Sequence, residues 1–322
     1  QKFGLQKHRF VLFFECDEES GSRDMVHYLT KHSGKIGEPS VVVCLDSGAI
    51  DYEHLTFTTS LRGCIKFKFT VEVTREGIHS GTGGGIVPDT FRIGREILNQ
   101  FEDSKTGQLI PGLYVNVPKD KYEQACDLIE ELGGIDYKIP FLKGVKPVSE
   151  DPLTQILNNT WLPSNTVIGF EGLPTTRSCG NVLNPFTTYM LSCRLPPSLP
   201  VSEAKSAITE FFSGLNPPYD AKVTLDILQE GSGTNIKAYP ERLSRLISNS
   251  CQQFFGKQPL FIGDGGSIPF IGTLQSKYPK TDILISGVLG PESNAHAPNE
   301  FLHIEFLQKM VRTFVNIFRN YD

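Results

Sequence analysis

Ile65-Lys-Phe-Lys-Phe-Thr-Val-Glu-Val73 alternates apolar and polar residues without a break, the pattern of a strand with one buried face and one wet face. The same alternation returns in Val223-Thr-Leu-Asp-Ile227, and Thr188-Tyr-Met-Leu-Ser-Cys-Arg-Leu195 supplies a further strand. Helices are predicted from Thr90 to Phe101 and from Ser202 to Phe212. Residues 105–165 form an insertion with its own helix near Lys121 to Leu132. The resulting order, strand-helix-strand-strand-helix-strand, describes a ferredoxin-like α+β unit.

Outward from this stretch the pattern changes near Gly63. Upstream, Val41-Val-Val-Cys-Leu-Asp46-Ser-Gly48 is a short β-branched strand that ends on a carboxylate and a turn. The apolar run Arg9-Phe-Val-Leu-Phe-Phe-Glu-Cys-Asp17 reads as a buried strand, followed by a helix over Arg23 to Lys31 with Ser20 or Ser22 as its N-cap. From about Asn235 the α/β pattern resumes with the strand Asp282-Ile-Leu-Ile285. It closes on an amphipathic helix, Leu302 to Phe318, with Phe306, Leu307, Met310, Phe314 and Phe318 on one side. The expectation is an α/β fold in two units: residues 1–64 with 235–322 as a mixed sheet flanked by helices, and residues 65–234 inserted into it.

With 322 residues the chain has ample material for a core, and its net charge of −5 argues against nucleic-acid or anionic-membrane partners. No apolar stretch approaches the roughly 20 residues that span a bilayer, and no signal peptide precedes Arg9. The seven cysteines form no CxxC pair, and several sit in apolar strand contexts and read as small buried hydrophobes in a reducing compartment, so a cytoplasmic protein is expected.

The chemistry begins at Glu18 and Glu19. Adjacent carboxylates at the end of an apolar run repel one another, and a bound cation is the usual compensation; an exposed acidic helix start is the other reading. Asp46 follows a strand, and His296 sits in the loop Ser286-Gly-Val-Leu-Gly-Pro-Glu-Ser-Asn-Ala-His296-Ala-Pro-Asn-Glu300. Two Glu, one Asp and one His at strand ends suit a hydrolytic zinc site of oxygen and nitrogen ligands. Gly77-Ile-His-Ser-Gly-Thr-Gly-Gly-Gly85 lacks P-loop spacing, and a turn of glycines at positive φ is its plain reading. Arg194 lies on an otherwise apolar strand, where a buried ion pair and a bound substrate carboxylate are the two alternatives. Gly265-Gly266-Ser267 reads either as an anion-binding helix start or as a tight turn with a Ser cap, with Asp264 as a turn residue.

Six segments, Asp17-Glu-Glu-Ser-Gly-Ser22, Leu45-Asp-Ser47, Gly77 to Gly85, Cys193-Arg-Leu-Pro-Pro197, Gly263-Asp-Gly-Gly-Ser-Ile-Pro269 and His296-Ala-Pro-Asn-Glu300, occur in the order seen in co-catalytic zinc peptidases. Over nearly its whole length the chain resembles the branch that holds cytosolic non-specific dipeptidase and carnosinase, with aminoacylase and the glutamate carboxypeptidases more distant. The resemblance implies two Zn²⁺ or Mn²⁺ per full-length subunit, Glu18 as general base, Glu19 and His296 as ligands of one zinc and Asp46 as ligand of the other. It also implies a homodimer through the inserted unit, which would act as a lid and carry His79 into the partner's site to stabilise the oxyanion. Arg194, Gly266 and Ser267 would fix the carboxylate of a short peptide, and Asn181 would touch substrate.

One departure stands out. The family carries a His-x-Asp motif and a bridging Asp upstream of the Glu pair; Gln1-Lys-Phe-Gly-Leu-Gln-Lys-His-Arg9 contains neither, and His8 is followed by Arg9 and Phe10. The expectation is an N-terminally truncated peptidase, or an inactive remnant, that holds two zinc ions poorly. Two alternatives stay open: an N-acyl-amino-acid amidohydrolase with the same machinery, and a dimeric scaffold that has lost its metals.

Overall fold

The computed structural model describes residues 8–18 and 22–321. Helices α1 (Met25–Lys31) and α2 (Ser33–Ile36) lead into strands β1 (Val41–Cys44) and β2 (Thr56–Leu61). Next come β3 (Gly63–Glu72), β4 (Ile78–His79), α3 (Ser80–Gly83), α4 (Thr90–Phe101), α5 (Lys119–Leu132), α6 (Pro152–Thr160), β5 (Ser164–Glu171), β6 (Val182–Leu183) and β7 (Phe186–Leu195). The chain continues through α7 (Val201–Ser213), β8 (Lys222–Gly231), β9 (Thr234–Asn235), α8 (Glu241–Phe255), β10 (Leu260–Asp264), α9 (Pro269–Lys277), β11 (Asp282–Ile285) and α10 (Ile304–Asn320).

The alternation of β3 sets one sheet. Ile65, Phe67, Phe69 and Val71 are fully buried, whereas Lys66, Lys68, Thr70 and Glu72 are half-exposed. β3 sits between β7 and β8 in the order β5-β7-β3-β8, and every pair is antiparallel. Ile93, Ile97 and Phe101 of α4 and Ala204 and Ile208 of α7 pack on its apolar face with Tyr189 and Leu191. Each such side chain taken from water contributes about 1.5–3 kcal/mol. This is the ferredoxin-like arrangement, with β5 as the second strand.

The other sheet has five strands in the order β1-β11-β2-β10, with β9 against β2. β1 runs parallel to β11, and β2 parallel to β10, while β2 is antiparallel to β11. The carboxyl ends of β1 and β11 therefore share one edge, and those of β2 and β10 the opposite edge. Ile283 and Ile285 face Met25, Leu29, Ile271 and Leu274 of α1 and α9. Leu284 faces Leu243, Ile247, Phe306, Met310 and Phe314 of α8 and α10. Helices thus cover both faces, as buried parallel strands require.

The chain crosses between the sheets at residues 62–63 and again at 231–234. A Cβ on Gly63 would lie 2.7 Å from Gly233 N, and one on Gly233 would lie 2.7 Å from Leu61 O. The two crossings pack backbone against backbone, and only glycine fits.

Four expectations change. The run at residues 9–14 is not a buried strand: it has no regular structure, Leu12 is 77% and Phe14 84% exposed, and no described strand pairs with it. Apolar content alone does not make a strand without a neighbouring ladder; Phe10 instead rests edge-on against Phe318, at 5.5 Å between ring centroids. Helix α1 begins at Met25 rather than Arg23. Its N-cap is Asp24 with no side-chain cap, not Ser22, and Ser20 lies outside the described residues. In the glycine-rich segment only Gly85 has positive φ. Gly81 and Gly83 lie in the short α3, where Gly83 packs against Ile78 and Leu183, and Gly84 is its C-cap. Finally, α5 and α6 pack on β10 of the five-stranded sheet, through Ala125, Leu128 and Ile156 against Ile262 and Ile50, although the sequence groups residues 105–165 with the other sheet.

Candidate active site

The first group of predicted site residues lies at the carboxyl edge of β1 and β11. Asp46 stands exposed two residues beyond β1, and the loop that carries His296 leaves the neighbouring β11. These two loops are tied together, since Ala49 N donates to Leu289 O at 2.9 Å and Tyr52 OH to Pro291 O at 3.1 Å. His296 is exposed and left-handed, with φ 60°, and Glu292, Asn294 and Asn299 share that uncommon backbone. Cys44, at the end of β1, has its thiol pushed up to about 12, by burial first and then by Asp46, with Glu18 and Glu15 adding to it. Asp46 and Glu18 thus both act on Cys44.

Carboxylate and imidazole donors are the chemistry Zn²⁺ and Mn²⁺ accept. Among the described residues no three His, Cys, Asp or Glu side chains gather as a ligand set, and Glu19 lies outside those residues. Asp17, beside the pair, accepts two 3.1 Å hydrogen bonds from Arg23 at the surface.

The second group lies at the opposite edge, beyond β10. Arg194 Nη1 donates to Ser267 Oγ at 3.2 Å. Ser267 does not cap α9, whose N-cap is Ile268 without a side-chain bond. Asp264 Oδ1 accepts from Gly266 N at 2.7 Å and shapes the turn. No carboxylate among the described residues forms an ion pair with the half-buried Arg194, so the ion-pair alternative has no partner there.

A third group is the two-stranded ladder of β4 and β6. It pairs His79 with Val182, and Ser80 N donates to Asn181 O at 2.8 Å, so His79 and Asn181 are neighbours. His79 is exposed, and its Nδ1 accepts from Gly81 N at 3.1 Å. The neutral ring then carries its proton on Nε2, which remains available to donate. Of the predicted residues that are described, Arg194 and Ser267 touch and His79 and Asn181 are neighbours, whereas Asp46 and His296 lie on two loops tied together by backbone and tyrosine bonds.

Two buried polar residues escape the sequence reading. Arg62, between β2 and β3, is 7% exposed, and its guanidinium donates to Gly265 O, Asn158 O, Leu162 O and Ser164 Oγ, each at 3.2 Å. Burial, with the nearby Arg194 adding to it, lowers its pKa to about 10. His54, 2% exposed, has Nδ1 2.8 Å from Asp51 and Nε2 3.2 Å from Glu131, and so pins β2 to α5. A charged residue in a run of buried strand residues was the available signal for Arg62.

The chain belongs to Peptidase family M20/M25/M40, whose profile matches residues 1–320. It is 26% identical over 299 residues to the cysteinylglycine-S-conjugate dipeptidase of Corynebacterium striatum, covering 89% of this chain and 61% of that protein. It is 25% identical over 301 residues to the Cys-Gly metallodipeptidase DUG1 of Saccharomyces cerevisiae, covering 91% and 61%. The solved structure of the dipeptidase Dug1p from that yeast shares its fold, with a TM-score of 0.71 and 22% identity over 95% of this chain and 64% of the other. The chain spans about three fifths of the length of the curated relatives it matches. Among the described residues no helix is long and apolar enough to cross a membrane.

Proposed function

We propose that the chain forms the larger part of a metal-dependent peptidase that hydrolyses dipeptides or short peptides with a free C-terminal carboxylate. The family match over residues 1–320 carries this reading, and the 3.2 Å contact between Arg194 and Ser267, on the sheet edge opposite Asp46, supports an anion receptor. A half-buried guanidinium with no carboxylate partner among the described residues, held beside a hydroxyl at a turn, is a ready receptor for a substrate carboxylate. Membership of the peptidase family and the dipeptidase names of two relatives support the reaction class.

Glu19, Asp46 and His296 would hold the divalent metal, two zinc or manganese ions in the intact site, which would supply Lewis-acid polarisation of the scissile carbonyl. Glu18 would take a proton from the attacking water and return it to the leaving amine. His79, through its Nε2–H, would donate to the developing oxyanion, with Asn181 beside it against substrate. Because His79 lies on the inserted unit, residues 65–234, it would serve the cleft of a partner subunit in a homodimer built through that unit, with residues 1–64 and 235–322 forming the catalytic unit. All seven cysteines are free thiols, which suits a cytoplasmic setting.

The test is hydrolysis by the intact protein, supplied with Zn²⁺ or Mn²⁺, of cysteinylglycine, β-alanylhistidine, their C-terminal amides and N-acetylglycine. Cleavage of the acids at least about tenfold faster than of the amides supports the reading. Equal rates for acids and amides refute it. Preference for N-acetylglycine moves the assignment to an N-acyl-amino-acid amidohydrolase.

A further inference from the structure

Arg62 has no role in the chemistry described so far, yet its buried guanidinium makes four hydrogen bonds. It occupies the first crossing between the two sheets. Its backbone N–H donates to Asp264 O at 3.2 Å, and its side chain reaches Gly265 O in the turn after β10. The same guanidinium binds Asn158 O and Leu162 O at the end of α6 and Ser164 Oγ at the start of β5. Ser164 is the ladder partner of Arg194. One side chain therefore ties the backbone beneath Ser267 to the strand position opposite Arg194.

We infer that Arg62 is the positioning residue of the carboxylate site, holding the Gly265–Ser267 turn and the β5–β7 edge so that Ser267 Oγ stays within reach of Arg194. The inference rests on the carboxylate reading of Arg194 and Ser267. At 7% exposure Arg62 does not touch substrate; half-buried Arg194 does. Burial first, and then Arg194, lower the Arg62 pKa, while Asp264 favours its charge. Through its bonds to Gly265 O and Ser164 Oγ, Arg62 contributes to selection for a free C-terminus without contacting it.

A purely structural Arg62 would affect all substrates alike; a positioning Arg62 affects only those that use the carboxylate site. The experiment measures kcat and KM of the intact protein and of Arg62→Met, Arg62→Lys and Ser164→Ala for cysteinylglycine and its C-terminal amide, with melting temperature as the folding control. The expected result is an approximately tenfold rise in KM for the acid in Arg62→Met, kcat within about threefold, and kcat/KM for the amide unchanged. Arg62→Lys recovers part of the loss, since the charge returns without the planar fork that reaches three carbonyls. Ser164→Ala gives about a two- to threefold rise in KM for the acid alone. If Arg62→Met does not fold, Arg62→Lys and Ser164→Ala decide by the same acid-against-amide comparison. Equal changes for acid and amide, or no change in either, in folded variants overturn the role of Arg62 while leaving the carboxylate site standing. A native protein with no preference for the acid overturns the carboxylate site itself.

Discussion

The guanidinium of Arg194 and the hydroxyl of Ser267 meet at 3.2 Å although 73 residues separate them along the chain. Arg194 comes from β7 of the four-stranded sheet, and Ser267 from the turn after β10 of the five-stranded sheet. Their contact therefore depends on the way the two sheets are joined. Arg194→Met is expected to raise KM for a dipeptide with a free carboxylate by about a hundredfold, the loss of one charged partner of a buried pair. Ser267→Ala is expected to raise it about fivefold. The double variant falls short of the product of the two, since each acts through the other. Steady-state kinetics on the acid and the amide check all three values.

His79 and Asn181 are brought together by the β4–β6 ladder. If His79 serves a partner's site, mixing intact His79→Ala with intact Glu18→Gln subunits restores about a quarter of wild-type activity, because half of the dimers gain one complete site. Mass measurement of mixed dimers with no recovered activity would confine His79 to capping α3.

Much of this architecture is legible in residues 63–73 alone, because a strict period of two with fully apolar alternate positions leaves little choice of face. Helix α4 is equally legible, with its N-cap Asp89 and an apolar stripe at Ile93, Ile97 and Phe101. β5 is not. Its residues are half-exposed at a sheet edge, and its register slips between Val167 and Gly169, which blurs the alternation. The run at Phe10–Phe14 misleads in the opposite direction, because pairing depends on a neighbouring strand that no local pattern encodes. Arg194 is legible as a charge on an apolar strand. Arg62 obeys the same logic, but it sits at the strand boundary beside Gly63, where a turn residue is the simpler expectation.

Gly94 gives a test of packing against propensity. In an exposed helix Gly→Ala stabilises by about 1 kcal/mol. Here a Cβ would collide with the ring of Tyr189, which is fully buried and stacked on Phe69 at 4.7 Å between centroids. Gly94→Ala is therefore expected to destabilise by about 1–3 kcal/mol. Urea denaturation that shows a gain in stability would mean that the α4 interface yields.

Lys121 is 4% exposed, donates to Thr59 O at 3.2 Å and lies 3.6 Å from Asp120. Burial lowers its pKa from 10.5. Between the lowered value and 10.5 the unfolded chain binds more protons than the folded one, so this residue makes stability rise with pH across that window. Thr59 O keeps its bond from Ile236 N when the lysine is removed. Lys121→Met is thus expected to gain stability relative to wild type at pH 7 and to gain less at pH 10. Urea midpoints at the two pH values measure the difference, and a constant gap contradicts the assignment.

In the proposed site Glu18 would move protons while its neighbour Glu19 would help hold the metal. Glu18→Gln and Glu19→Gln in the intact protein separate these roles most directly when cysteinylglycine hydrolysis and bound metal are measured on the same samples. The account predicts that Glu18→Gln loses about a thousandfold in kcat with metal content unchanged, whereas Glu19→Gln loses metal and activity together. Glu18→Gln that keeps its activity, or that loses metal in step with activity, would contradict it.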